Sequence, residues 1–240
     1  MRTALVTGGS RGIGAAVVRK LHAAGWQVAF VWHSNREAAA ALERELPGVA
    51  AVQADVADPV QAQEAYQTAT RRLGPIHALV CCAGIALPQQ LTAQTGDEEA
   101  RRVIDVDLLG TYWCCRAAAR DMAAAHTGAI VTVSSVWGRA GGSCEAIYSA
   151  AKAGVIGLTR ALAKELGPAG VRVNCVCPGV IDTDMNAHLT PADRQALAEQ
   201  TALCRLGTAE EIADAIAFLC EDEASFITGA VLDAHGGFVG

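Results

Sequence analysis

The chain has 240 residues, of which 52% are hydrophobic and 18% are charged, and its formal net charge is −6. A chain of this length and composition can bury a full hydrophobic core, which excludes an intrinsically disordered protein, a disulfide-stabilised miniprotein and a coiled coil. It carries no dense stripe of Lys and Arg, so we expect no nucleic-acid partner. The first 36 residues nevertheless contain five basic residues and no acidic one, which indicates a local anion site.

The predicted elements alternate along the chain, with short apolar segments separated by longer Ala-rich ones. The predicted strands are Thr3–Thr7, Val28–Trp32, Val49–Gln53, Ala78–Cys82, Ile130–Val133 and Val171–Val176. The predicted helices are Ile13–Ala24, Arg36–Leu46, Pro59–Leu73, a long helix from about Asp97 to Ala125, and another from about Ala146 to Leu166. Strands that are apolar throughout and alternate with helices are typical of a parallel sheet covered on both faces. The sequence therefore predicts an α/β fold, with a single doubly wound domain over residues 1–240.

Residues 182–207 do not fit this alternation. They have no clear strand partner and include Pro191. We expect this segment to form a lid over whatever the sheet binds.

The cysteines and the apolar runs bear on the cellular compartment of the protein. Six of the nine cysteines lie inside apolar runs, and no C-x-x-C pair is present. We therefore expect reduced, buried thiols in a cytoplasmic protein, and no metal site. No apolar run reaches about 18 residues, so we expect neither a signal peptide nor a membrane span.

A glycine-rich segment joins the first predicted strand to the first predicted helix. Glycines permit positive φ and close backbone approach, and a helix N-terminus offers free N–H groups to a pyrophosphate. The spacing is G-x-x-x-G-x-G, and its position between a strand and a helix favours a dinucleotide site over an ordinary loop. The residues expected to bind the cofactor here are Gly8, Ser10, Arg11, Gly12, Ile13 and Gly14.

The end of the second strand favours NADP(H) over NAD(H). An acidic residue about 20 positions after the glycines would bind the ribose 2′-hydroxyl of NAD. Here that region reads Ser34-Asn35-Arg36, and the first acidic residue after the loop is Glu37. Arg11, Ser34, Asn35 and Arg36 are expected to hold a 2′-phosphate through charge-assisted hydrogen bonds. The alternative is that both arginines are solvated surface charges.

Three further residues form a candidate catalytic group. Tyr148 and Lys152 are four residues apart in a predicted helix, which places them on one face. Ser135 follows the fifth strand, at the carboxyl edge where ligands bind in open α/β sheets. An ordinary strand-end or capping serine is the alternative for Ser135.

Together, the glycine loop, Ser135, the segment Tyr148–Lys152 and the segment Pro178–Thr183 resemble the short-chain dehydrogenase/reductase family, in its 3-oxoacyl-[acyl-carrier-protein] reductase-like branch. The resemblance covers residues 3 to about 237. It implies a Rossmann sheet of seven strands in the order 3-2-1-4-5-6-7, and a homotetramer or homodimer. The cofactor contacts it implies, besides the glycine loop, are Asp55, Val56, Ala83, Gly84, Tyr148, Lys152, Pro178, Gly179, Ile181 and Thr183.

The family chemistry suits these residue types. Reduction of a carbonyl by a nicotinamide generates an alkoxide that needs a proton, and Tyr148 is the expected donor. Lys152 is expected to lower the pKa of that phenol and to hold the nicotinamide ribose. Ser135 is expected to hydrogen-bond the carbonyl oxygen. The resemblance places Thr183 at the nicotinamide carboxamide, with a plain helix N-cap as the alternative.

Three positions depart from the family pattern. The family's fourth catalytic residue, an asparagine that orients a water linked to the lysine, is replaced by Asp107. The usual Asn-Asn-Ala-Gly reads Cys81-Cys82-Ala83-Gly84, and the usual Val-Asp-Gly-Gly reads Ala234-His235-Gly236-Gly237. We expect the carboxylate at 107 to raise the pKa values of Lys152 and Tyr148, giving an alkaline-shifted profile for alcohol oxidation.

The resemblance implies hydride transfer between NADP(H) and a carbonyl or secondary alcohol, with a 3-oxoacyl thioester of fatty acid biosynthesis as the first substrate candidate. Carrier-protein reductases commonly have basic residues before the fifth and sixth strands, but Ala123–Ala129 and Gly167–Gly170 contain no Arg or Lys. Arg139 and Arg172 remain nearby, so the hypothesis of carrier docking is weakened rather than excluded. The alternatives are a free small ketone or alcohol, such as a sugar, steroid or xenobiotic, and a non-catalytic NADP(H)-binding subunit.

Overall fold

The computed structural model describes residues 1–187 and 189–238. Seven parallel strands form one sheet in the order β3-β2-β1-β4-β5-β6-β7, which confirms the expected topology. The strands are β1 Thr3–Thr7, β2 Gln27–Trp32, β3 Ala50–Gln53, β4 Ala78–Cys81, β5 Gly128–Val133, β6 Val171–Pro178 and β7 Val231–Ala234. Because all of them are parallel, their carboxyl ends meet at one edge, where the candidate site lies.

The helices lie between successive strands and cover both faces of the sheet. They are α1 Gly12–Ala23, α2 Arg36–Glu45, α3 Pro59–Leu73, α4 Asp97–Val103, α5 Gly110–Ala125, α6 Val136–Ala140, α7 Ala146–Leu166, α8 Pro191–Glu199 and α9 Ala209–Cys220. Capping side chains determine where some of these helices begin. Asp58 caps α3 by accepting from the N–H groups of Val60 and Gln61, and Thr208 caps α9 by accepting from Glu211. Such caps satisfy N–H groups that have no partner inside the helix.

Two apolar layers form the core, one on each face of the sheet. Successive β1 residues point in opposite directions, so Val6 belongs to the apolar cluster that includes residues of α1 and α9, whereas Leu5 belongs to the cluster that includes residues of α3, α5 and α7. Both side chains are almost completely buried. This two-sided burial explains why the strands read as continuous apolar runs.

The prediction of one continuous helix from Asp97 to Ala125 is wrong, because the structure divides this segment. A π-helical turn at Ile104–Leu109 separates α4 from α5. Such turns have wider hydrogen-bond spacing and often occur at functional sites. Asp107 lies in this turn with no exposed surface, and the Thr111 hydroxyl donates to its backbone carbonyl over 2.9 Å.

The carboxyl ends of β4 and β6 differ from their predicted ends. β4 ends at Cys81, one residue early, whereas β6 continues to Pro178 because β7 pairs with it over Cys175–Pro178. The sequence pattern did not locate α6, α9 or β7.

The nine cysteines, all in the described part of the chain, are free. Among the described residues, no helix has the length and apolar character needed to cross a membrane.

Residues 182–207 are closed into a loop at their base. Ile181 and Gly207 form a parallel bridge, and Asp182 pairs with Arg194 of α8 over 2.6 Å. The segment contains a 3₁₀ turn at Asp184–Asn186 before α8. The predicted role as a lid stays a prediction.

Arg172 ties β6 to the end of α9. Its guanidinium donates to the carbonyls of Leu219 over 2.7 Å and Glu221 over 3.1 Å. We expect Arg172→Met to lower the free energy of unfolding by about 1–3 kcal/mol, because these part-buried acceptors lose their partner. The matched control Arg139→Met removes only the exposed pair with Asp233 and should cost less than about 1 kcal/mol. Urea unfolding of both variants checks the difference, and equal losses would contradict it.

Candidate active site

The glycine loop after β1 is shaped by close backbone contacts. Gly8 has φ +64°, and a Cβ there would lie 2.8 Å from the Cα of Ala83. A Cβ on Gly14 would lie 2.2 Å from the carbonyl oxygen of Gly8. Arg11 precedes α1 without a side-chain cap, so the first N–H groups of this helix are available to a ligand. The loop therefore fits a phosphate-bearing cofactor held by backbone groups.

The basic residues of the N-terminal region divide into two groups. Three of them reach acids elsewhere: Arg2 pairs with Glu221, Arg19 with Glu45 over 2.7 Å and Lys20 with Asp214 over 2.6 Å. Within residues 1–187 and 189–238, Arg11 and Arg36 have no ion pair. They follow neighbouring strands β1 and β2 and lie exposed at the carboxyl edge.

Ser34 and Asn35 lie between β2 and α2 at the same edge. Ser34 is exposed. Asn35 caps α2, because its side-chain oxygen accepts from the Ala38 N–H over 3.0 Å. The Asn35 oxygen is thus engaged, and its amide group remains as a donor.

Asp55 lies after β3 and is held by two partners. Its Oδ1 accepts from the Ala57 N–H over 3.0 Å, and its Oδ2 lies 2.8 Å from Arg102 of α4. Burial acts to raise the pKa of this carboxyl, but Arg102 and the Ala57 N–H outweigh it and the net pKa is lowered. The neighbouring Val56 packs against Gly110 at the start of α5. No local pattern indicates Arg102 as a partner of Asp55, because that contact joins residues 47 positions apart.

The segment after β4 packs against the glycine loop. The Ala83 N–H donates to the Thr7 hydroxyl over 3.2 Å. In this sequence, where cysteines replace the family asparagines, Thr7 provides one link between β1 and this segment. Cys81 is buried in the core and Cys82 is partly buried.

Ser135, Tyr148 and Lys152 lie together beyond the end of β5. Ser135 begins α6, and its hydroxyl oxygen accepts from the Trp137 N–H over 3.2 Å. The Ser134 hydroxyl donates to the Lys152 carbonyl over 2.7 Å, which fixes α7 against the strand end. The Lys152 ammonium donates to the Val133 carbonyl over 3.2 Å and lies 5.5 Å from the centre of the Tyr148 ring.

Asp107 contacts the lysine directly. Its Oδ2 lies 3.1 Å from the Lys152 ammonium, and its Oδ1 accepts from the Ile85 N–H over 2.9 Å. The family arrangement led us to expect a water between these positions, and the structure has an ion pair instead. A Cβ on Gly84 would lie 3.1 Å from both the Asp107 Oδ2 and the Lys152 Nζ, so this glycine covers the pair. A buried pair of this kind is costly to break from one side.

The protonation equilibria reflect this geometry. Burial raises the pKa of the Tyr148 phenol, Lys152 lowers it and Asp107 raises it, and the net pKa lies above the ordinary value of 10.0. A hydrogen bond with Ser135 also lowers that pKa. For Lys152, burial acts to lower the pKa, but Asp107 and Tyr148 raise it and the net pKa is raised. The lysine is therefore protonated at neutral pH, and the phenol is protonated without a cofactor.

The segment after β6 faces the glycine loop. A Cβ on Gly12 would lie 3.7 Å from the Cβ of Thr183, and the Thr183 side chain makes no cap to the turn that follows it. Pro178 ends β6, Ile181 is buried, and the Gly179 N–H donates to the Ala234 carbonyl over 3.2 Å.

His235, one of the departures, packs against Gly179. Its Nδ1 accepts from the Phe238 N–H over 3.0 Å. A Cβ on Gly179 would lie 2.8 Å from that of His235. His235 thus has a structural contact at the edge of the site.

A cavity of about 270 Å³ opens beside Tyr148. Its lining combines the loop after β4, one residue of α4 and the residues around the start of α7, and comprises Leu87, Pro88, Gln90, Thr92, Thr95, Ala100, Cys144, Glu145, Ala146, Ile147 and Tyr148. Apart from Tyr148, none of these residues was predicted from the sequence.

Several known proteins are similar to this chain over almost its whole length. The family model described as enoyl-(acyl carrier protein) reductase matches residues 8–239. A cis-4-hydroxycyclohexanecarboxylate dehydrogenase of Sinomonas cyclohexanicum is 42% identical over 240 residues, covering 99% of this chain and 96% of the relative. The 3-oxoacyl-[acyl-carrier-protein] reductase FabG of Staphylococcus aureus (strain Mu50) is 37% identical over 240 residues, covering 98% and 97% respectively. A short-chain type dehydrogenase/reductase from Mycobacterium ulcerans has TM-score 0.94 at 33% identity, covering 98% of this chain and 89% of that one.

The Rossmann-like parallel sheet and these similar proteins define an oxidoreductase. The chain belongs to the short-chain dehydrogenase/reductase family. This family uses a nicotinamide cofactor.

Proposed function

We propose that the protein transfers a hydride between NADP(H) and a carbonyl compound or secondary alcohol, with Tyr148 moving the proton. The observation that carries this proposal is the buried Lys152 ammonium, 5.5 Å from the centre of the Tyr148 ring at the edge that also holds the glycine loop. A bound nicotinamide would supply the hydride. Loss of turnover in Tyr148→Phe, with cofactor binding retained, is the experiment that tests it.

Each side chain has a separate task in this proposal. Tyr148 gives its proton to the substrate oxygen during reduction and accepts it during alcohol oxidation. Lys152 favours the phenolate and binds the nicotinamide ribose hydroxyls. Ser135 donates a hydrogen bond to the same substrate oxygen. Asp107 is a positioning residue, because it acts on Tyr148 through Lys152.

The remaining cofactor contacts are proposed from their places at the carboxyl edge. Backbone groups of the glycine loop suit the pyrophosphate, the segment after β3 suits the adenine, and the segment after β6 suits the nicotinamide. The residues are Gly8, Ser10, Gly12, Ile13 and Gly14 for the first, Asp55 and Val56 for the second, and Ala83, Gly84, Pro178, Gly179, Ile181 and Thr183 around the ring and its ribose.

The preference for NADP(H) rests on Arg11 and Arg36, with Ser34 and Asn35 beside them. We expect the double variant Arg11→Ala/Arg36→Ala to lower kcat/KM for NADPH at least about tenfold, because two charge-assisted contacts to the 2′-phosphate are lost. The value for NADH should stay within about twofold, since NADH lacks that phosphate. Steady-state kinetics with both cofactors measure the ratio. Arg19→Ala is the matched control, and an unchanged ratio in the double variant would contradict the assignment.

Two substrate classes remain candidates. The FabG relative acts on a carrier-bound 3-oxoacyl group by its name, and the Sinomonas relative acts on a hydroxycyclohexane carboxylate by its name. Carrier docking would need free cations, yet Arg139 pairs with Asp233 and Arg172 binds the carbonyls at the end of α9. This favours a free ketone or alcohol over the 3-oxoacyl thioester. A carrier-bound substrate should show strong salt dependence and preference over its free thioester, and a free ketone neither.

The assembly and location are proposed from the family. We propose a homotetramer or homodimer in the cytoplasm, with residues 182–207 closing over bound substrate. Light scattering of the purified protein measures the assembly. Binding of NADPH without turnover of any carbonyl would favour the non-catalytic subunit instead.

A further inference from the structure

Three side chains that can carry charge meet at the carboxyl edge of the sheet, beyond β2 and β3. The Asp55 Oδ2 lies 2.8 Å from the Arg102 guanidinium and 3.8 Å from the His33 Nε2. His33 directly follows β2, and its carbonyl accepts from the Gln53 side chain at the end of β3 over 3.0 Å. The next residues along the chain are Ser34–Arg36, the segment proposed to bind the 2′-phosphate. The Asp55 carboxylate therefore lies close to that segment.

Backbone contacts hold Asp55 at this edge. Its N–H donates to the Gln61 side-chain oxygen over 3.0 Å, and its Oδ1 accepts from the Ala57 N–H over 3.0 Å. The Asp55 side chain is only 23% exposed, so water and salt screen its charge less than that of a fully exposed acid. An unpaired carboxylate in this position would repel a phosphate bound nearby.

Arg102 supplies the opposite charge from a separate element. It lies in α4 next to Val103, which is completely buried, so the packing of the helix fixes the backbone from which this arginine extends. In the part of the chain that the structure describes, Asp55 is the ion-pair partner of Arg102. The two side chains are close enough for a charge-assisted hydrogen bond. A compensated ion pair, and not a free carboxylate, thus lies beside the proposed phosphate site.

We propose that Arg102 is a specificity-determining residue that acts through Asp55, cancelling the charge of this carboxylate and so permitting NADP(H) to bind. This inference rests on the proposed function, because it assumes that Arg11 and Ser34–Arg36 hold the 2′-phosphate. NADH lacks that phosphate, so an unpaired charge on Asp55 matters much less for its binding. The role of Arg102 requires no contact between its guanidinium and the cofactor.

Binding of NADPH and NADH to four proteins tests the inference. They are the wild type, Arg102→Met, Asp55→Asn and the double variant Arg102→Met/Asp55→Asn. Fluorescence titration measures the Kd of each cofactor at low ionic strength and about pH 8, where an ordinary imidazole is largely neutral. The readout is the ratio of the Kd for NADH to the Kd for NADPH, in which any adenine contact common to both cofactors cancels.

The four ratios have a predicted order. Arg102→Met leaves the carboxylate unpaired, and we expect the ratio to fall at least about threefold, since that charge repels the phosphate at low salt. Asp55→Asn leaves the arginine unpaired and should raise the ratio. The double variant is neutral at this place, as the wild-type pair is, so its ratio should lie within about twofold of the wild-type value. Added salt should reduce all of these differences.

The matched control is Arg101→Met, which removes the neighbouring, exposed arginine of α4 and should leave the ratio unchanged. If Arg102→Met keeps the wild-type ratio, even with weaker binding of both cofactors, the role of Arg102 is structural only and the inference is overturned. A fall in the ratio that Asp55→Asn does not repair would show that Arg102 contacts the phosphate itself, which also overturns it. In both cases the proposed function stands as long as the wild type binds NADPH more tightly than NADH. If the wild type binds NADH more tightly, the preference for NADP(H) and the inference both fail.

Discussion

Replacing Tyr148 by Phe is expected to lower kcat for ketone reduction by about 10²- to 10⁴-fold, the usual contribution of a positioned general acid. The substitution removes only the phenol oxygen and keeps the ring beside the Lys152 ammonium. Binding of NADPH should therefore change little. Turnover in the wild-type protein needs the proton at the substrate oxygen, and Ser135 is too weak an acid to replace it at neutral pH.

Stopped-flow and steady-state kinetics measure this loss, and fluorescence titration measures NADPH binding. The matched control is Tyr112→Phe, which removes the same oxygen from an exposed tyrosine on α5. That variant should retain full activity. A Tyr148→Phe protein with near wild-type kcat would show that another group supplies the proton.

Asp107→Asn is expected to shift the pH–rate profile of alcohol oxidation to lower pH. The reaction in this direction needs the phenolate of Tyr148, so its rate rises as pH approaches the pKa of the phenol. The Asp107 carboxylate is among the causes that raise the pKa values of both Tyr148 and Lys152. Asparagine removes this negative charge and keeps an oxygen for the Ile85 N–H, so the phenolate forms at lower pH.

Profiles of kcat/KM against pH for both proteins check the direction of the shift. Asp105→Asn changes an acid in the same π-helical turn and should leave the profile in place. A thermal melt separates an effect on the fold from an effect on the phenol. If the Asp107→Asn curve overlays that of the wild type, the carboxylate has no influence on Tyr148 and the positioning role is wrong.

The sheet was predictable because its signals are local. Each strand is a short apolar run, and Thr3–Thr7 and the helices Pro59–Leu73 and Ala146–Leu166 match the predicted bounds. The edge that holds the candidate site follows from parallel pairing alone, since every loop after a strand reaches it. The family resemblance then supplied the strand order.

The features that escaped prediction depend on contacts between distant residues. The π-helical turn at Ile104–Leu109 leaves no periodic signal that distinguishes it from an ordinary helix. The direct contact of Asp107 with Lys152 joins residues 45 positions apart, and the residue types alone allow a water between them.

A crystal structure with NADPH and an unreactive carbonyl analogue is the sharpest test of proton transfer by Tyr148. We expect the analogue's oxygen to lie within about 2.6–3.2 Å of both the Tyr148 hydroxyl and the Ser135 hydroxyl. We also expect the Lys152 ammonium to reach the nicotinamide ribose while keeping its contact with Asp107. An analogue oxygen bound to other donors, with the Tyr148 hydroxyl beyond hydrogen-bonding distance, would show that Tyr148 is not the proton donor.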